Sequence, residues 1–157
     1  MKNPLEIVLL HKKTILVFCL WTTAISLTII ETLWFSFNRP GYMKRLFWHV
    51  GGPMFGWIEL LFLLVVSILI GIFLFEPKPL IYSYIGSIFL SLAIGITYNY
   101  LWNWSLFEQL LSSTPFGWEY GLFAAILNVF RILFPFGALV CLFGAAVGCT
   151  LRTLLNL

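Results

Sequence analysis

What most limits the folds open to this chain is how little charge its long apolar runs carry. Of 157 residues, 61% are hydrophobic and 10% charged, and the mean hydropathy is +1.00. A soluble globular domain carries roughly a quarter charged residues. These runs instead have the length of membrane helices, each of which needs about twenty apolar residues to cross the hydrocarbon. The chain reads as all-α: a polytopic transmembrane helix bundle forming a single integral membrane domain over residues 1–157.

Four apolar segments stand out, at about 14–37, 55–75, 80–102 and 117–151. The fourth is too long for one crossing, since a continuous helix of that length reaches roughly 50 Å. Pro135 lies inside it and Arg131 one turn earlier. Either this helix protrudes from the membrane, or it breaks near Phe134-Pro135 and a fifth membrane-spanning element follows. At the other end, Lys2, His11, Lys12 and Lys13 precede the first run like the charged start of a signal peptide. That run is too long for a signal core and no small-residue cleavage site follows it, so a retained first helix is expected.

Lysine and arginine positions set the expected topology. With four crossings, Lys2, Lys12, Lys13, Lys78 and Arg152 collect on one side, against Arg39, Lys44 and Arg45 on the other. The positive-inside rule then places both termini in the cytoplasm, and a fifth crossing would move the C-terminus outside.

Two helix openings echo each other: Pro53-Met54-Phe55-Gly56-Trp57-Ile58-Glu59 and Pro115-Phe116-Gly117-Trp118-Glu119. The echo suggests a parallel repeat of two helical hairpins, a known plan in membrane proteins. It equally suits convergence, because Trp gathers at membrane interfaces and Pro and Glu favour first helical turns. Aligned by topology, the helices bring polar residues to one depth at the outer surface. Glu31, Glu59 and Glu119 are the candidates for catalytic groups. Tyr98, Asn99, Asn103, Trp57, Trp118 and Arg131 are the candidates for ligand binding. An ionisable side chain within a span is costly and marks a site by default. The structural alternative is that Glu59 and Glu119 stay wet at the headgroups while Arg131 extends its side chain to an interface. Counted from Gly117, Arg131 lies roughly 20 Å along its helix, near the cytoplasmic third, with Asn128 one turn earlier. The loop 38–50 mixes Arg39, Lys44 and Arg45 with Phe47, Trp48 and His49, as an interfacial amphipathic segment does.

What is missing narrows the chemistry. Without Asp there are no paired aspartates and no Asp-rich magnesium cluster, and two histidines are too few for a histidine-box centre. No Gly-rich phosphate loop or G-x-S-x-G elbow occurs. Cys19, Cys141 and Cys149 lie in apolar segments without CxxC or Cys–His spacing, so no metal site is expected. No cofactor is predicted. The net charge of +3 is too small and scattered for nucleic acid.

In the C-terminal segment, Gly137, Gly144, Ala145, Ala146 and Gly148 predict close helix packing, with Gly144 and Gly148 in GxxxG spacing. The reading that accounts for most of these features is a non-catalytic subunit of a larger membrane protein complex, with membrane lipids and other subunits or further copies of the chain as partners. A second reading is a small membrane enzyme or binding protein for a lipid, quinone or isoprenoid, using the outer-leaflet Glu/Tyr/Asn pocket. A third is a small-solute transporter.

Overall fold

The computed structural model describes residues 4–38, 55–74, 76–112 and 117–155, with side chains described for 11–36, 55–74, 76–102 and 117–155. Described residues form five helices: α1 (Pro4–Asn38), α2 (Trp57–Phe73), α3 (Pro77–Ser112), α4 (Gly117–Leu133) and α5 (Phe136–Leu155). The connection carrying Arg39, Lys44, Arg45 and His49 lies outside the described residues. Three stretches are long and apolar enough to cross a membrane: His11–Ser36, Pro77–Trp102, and Gly117–Leu155 taken across the Pro135 break. Helix α2 is equally apolar but has 17 residues, at the short limit for a crossing.

Helix ends differ from the hydropathy boundaries for a simple reason. Pro4 is tolerated in a first helical turn, and the Leu, Glu and Lys residues after it are good helix formers, so α1 begins some ten residues before its apolar run. Helix α3 likewise continues through Glu108 and Gln109 to Ser112, and Pro115 lies just beyond its end. The long fourth segment divides where Pro135, lacking an N–H, interrupts the ladder. The Phe134 N–H still donates to Phe130 O at 2.8 Å, and Leu139 N–H donates to Pro135 O at 3.0 Å, so a helix runs up to the break and another away from it.

Three packed pairs build the bundle. Helices α1 and α3 run parallel, and α3 presents Ser83, Ser87, Ser91, Gly95 and Asn99 at four-residue spacing, all buried. Ser87 Oγ donates to Phe18 O and Ser91 Oγ to Thr22 O, each at 3.2 Å. Helix α4 packs antiparallel on the second half of α3 through the stripe Gly117, Gly121, Ala125, Val129 and Leu133. There Gly95 meets Val129, and Asn99 Nδ2 donates to Ala125 O at 3.5 Å. Helix α5 keeps the direction of α4, because Tyr84 OH donates to Ala138 O at 2.9 Å in the same antiparallel register.

The third pair, α2 and α5, is parallel and very close. A methyl group on Gly148 would overlap Ile68 O, and one on Gly71 would overlap Ala145 O. At Gly144 it would come within 2.8 Å of Leu64 O. The GxxxG pair of the sequence is thus the contact surface of α5 on α2, where small residues let backbones approach. Arg152 completes the pair by donating to Ile72 O at 2.9 Å and Phe73 O at 3.4 Å, capping carbonyls at the end of α2.

Candidate functional site

Among the described residues, the polar candidates lie on different faces of the bundle. Glu59, in the first turn of α2, is 6% exposed, and a carboxylate there suits the positive end of the helix dipole. Glu31 on α1 and Glu119 in the first turn of α4 are both exposed. Asn99 is fully buried and turned to the α4 backbone. Tyr98 is half-buried and stacks on Trp102, with ring centroids 6.1 Å apart. Trp57 and Trp118 are exposed at the openings of α2 and α4. Arg131 is exposed in the last turn of α4, and Asn128 is half-buried. Asn103 continues α3, and its side chain lies outside the described ones. Asn99 thus sits at the α3–α4 contact, while Glu31, Glu119 and Arg131 face the exterior. Among the described residues no three His, Cys or Glu side chains converge as metal ligands.

Two buried polar groupings carry the interior instead. The first joins four helices. Trp21 Nε1–H of α1 donates to Ser67 Oγ of α2 at 3.1 Å, and the Trp21 ring packs 5.2 Å from that of Tyr84 on α3. Cys141 of α5 is buried beside Trp21 and Ser67. All four side chains fill neutral polar roles. They offer one indole donor, two hydroxyls and a thiol, which suits holding helices in register better than bond-breaking chemistry. Sequence reasoning missed this node because each member is a single residue in a different apolar run.

The second grouping is the seam between α1 and α3. Elsewhere on α1, hydroxyls bond back to carbonyls of the preceding turn: Thr23 to Cys19 O, Thr28 to Ala24 O, Thr32 to Thr28 O and Ser36 to Thr32 O, at 2.7–3.0 Å. Thr22 and Ser26 would reach Phe18 O and Thr22 O in this way. Those are the two carbonyls that Ser87 and Ser91 occupy from α3. Thr22 Oγ1 and Ser26 Oγ are accordingly buried without a hydrogen bond, as is Ser83 Oγ. Their four-residue spacing was visible in the sequence, whereas the helix they face was not.

On the outside, α4 bears a concave apolar surface formed by Trp118, Tyr120, Leu122, Phe123 and Ile126, with Glu119 at its edge. Comparison with models of protein families, with curated proteins and with solved structures finds no match for this chain.

Proposed function

We propose that the chain is a small non-catalytic subunit of a membrane protein assembly, docked to its partner through α4. The observation that carries this reading is the exposed aromatic face at the start of α4, set against the lengths of α1 and α3. From Lys78 to Asn99 is about 31 Å along α3, the thickness of a hydrocarbon core. Lys13 to Glu31 on α1 covers about 27 Å. Laid across the membrane in this way, Asn99 marks the outer surface, and Ala125 of α4 lies opposite it. The first half of α4 then stands beyond the hydrocarbon, carrying exposed Trp118, Tyr120, Leu122 and Phe123. A contiguous apolar surface outside the lipid marks an interaction site, and aromatic residues are enriched in the cores of protein interfaces.

The same layering gives four crossings, because α4 and α5 keep one direction. Arg131 then lies in the outer half of the bilayer, about 9 Å below Ala125, within reach of the headgroups. This is shallower than counting inward from Gly117 suggests.

Native mass spectrometry of the protein, gently extracted from its own membranes, tests the reading. A stoichiometric second polypeptide is expected, lost in a Trp118→Ala/Phe123→Ala variant whose thermal unfolding is unchanged. A lone chain carrying a defined quinone or isoprenoid mass would replace the subunit reading with the small-ligand one.

A further inference from the structure

The opposite end of the molecule has a different chemistry. Because α1 and α3 are parallel, the first turns of α3 lie beside the His11–Ile15 stretch of α1, and Arg152 of α5 reaches the end of α2. Lys12, Lys13 and Lys78 are exposed there. Glu76 is the one acid among the described side chains of this end, and it is half-buried.

Two grooves open on this end and share Ile15 as a wall. One runs down the outer face of α1 and is lined by Lys12, Ile15, Leu16, Cys19, Leu20 and Thr23. These positions follow i, i+3, i+4 spacing, so they form one continuous stripe on a helix. From Lys12 to Thr23 the stripe is about 16 Å long, close to half the ~30 Å hydrocarbon core and so to the depth of one leaflet. The other groove lies between α1 and α3 and is short. It is lined by His11, Thr14, Ile15, Lys78, Pro79 and Tyr82.

We propose that these joined grooves bind one anionic phospholipid of the bilayer, its phosphate between Lys12 and Lys78 and one acyl chain along the Ile15–Thr23 stripe. Charge complementarity selects the occupant. A hydrophobic helix from a partner would fill the apolar stripe but would leave two lysines facing it, whereas a phosphodiester at the headgroup level meets both. Anionic headgroups concentrate on the cytoplasmic leaflet, the side to which the lysine positions assign this end. Tyr82, exposed beside Lys78, adds a hydroxyl at the depth where interfacial aromatic residues settle. The inference rests on the membrane placement given above and is independent of what docks on α4.

The test uses the purified full chain in mild detergent with equal amounts of palmitoyl-oleoyl phosphatidylglycerol and phosphatidylcholine, read by native mass spectrometry. Bound phosphatidylglycerol is expected to exceed phosphatidylcholine, and Lys12→Gln/Lys78→Gln is expected to lower that preference about tenfold, since each basic residue near anionic lipid adds to binding. Lys12→Gln alone is expected to lower the preference in part, whereas Lys13→Gln, which removes the same single charge one residue away but lines neither groove, is expected to leave it intact. Inorganic phosphate is expected not to displace the lipid. Equal losses from Lys13→Gln and Lys12→Gln, no preference in the native chain, or displacement by phosphate would each overturn the proposal. The lysines are exposed, so unchanged thermal unfolding shows that the variants remain folded. Because the assay uses the isolated chain, its outcome is separate from that of the partner experiment.

Discussion

At the scale of single residues, the α1–α3 seam makes a prediction that runs against intuition. Removing a buried hydrogen bond usually costs about 1 kcal/mol, and more where a polar group is left stranded. Here Ser87 and Ser91 occupy the carbonyls that Thr22 and Ser26 would otherwise use. A Ser87→Ala/Ser91→Ala variant releases Phe18 O and Thr22 O, and the two α1 hydroxyls turn back onto them as Thr28 and Thr32 already do on their own turns. The expected cost in unfolding free energy is below about 1 kcal/mol, within the range measured for hydrogen bonds between membrane helices. A loss of several kcal/mol in a denaturant titration in detergent would show that the seam bonds are irreplaceable. The four-residue ladder of Ser83, Ser87 and Ser91 is plain in the sequence as one helix face. Its facing partner is not, because a serine hydroxyl bonds any carbonyl within reach and the pairing depends on how two distant segments pack.

At the scale of elements, the α2–α5 pair sets up a direct contrast between two glycines. Added methyl groups at Gly148 would meet the α2 backbone at Ile68 and Gly71, which has no rotamer with which to move aside. At Gly137 the neighbours are side chains, Phe55 and Leu133, which can rotate. Gly148→Ala is therefore expected to destabilise by about 1–3 kcal/mol, the ordinary cost of overpacking, and Gly137→Ala by clearly less, compared by thermal unfolding of the two variants. Equal effects would mean that the helices part readily. The helices themselves were legible from hydropathy: each of the four apolar runs is helical, and the fourth breaks at Pro135. Their lengths were less so. Glu108 and Gln109 close a hydropathic segment without closing a helix, and the backbone ladder follows hydrogen bonding rather than polarity. The small residues of α5 were recognisable as a packing face. That this face meets α2, some eighty residues earlier, was not, since no local pattern carries that distance.

At the scale of the whole molecule, the shared direction of α4 and α5 decides where the chain ends. If the break at Pro135 leaves the direction unchanged, as the Tyr84–Ala138 bond indicates, reporters fused to either end are expected on the same side of the membrane, the cytoplasmic one. A C-terminal reporter found outside would mean that α4 crosses separately from α5. The candidate site was the least legible part. Placing Glu31, Glu59, Glu119, Tyr98, Asn99 and Asn103 at one depth assumed that helices of equal rank start at equal height. Helix α4 instead begins alongside the late turns of α3, and the rotation of each helix, fixed by its small-residue stripe, turns Glu59 and Asn99 inward and Glu31, Glu119 and Arg131 outward.

The late position of α5 has a consequence for how the protein is made. Helix α2 is short, and its small-residue face is complementary to Gly144 and Gly148 of α5, which are translated only after α3 and α4. Until Gly144 and Gly148 emerge, Ser67 and Gly71 have no backbone to settle against, and the nascent chain holds a loosely seated second helix. A product truncated before α5 is therefore expected to keep an open small-residue flank on α2, where the α5 backbone would otherwise lie.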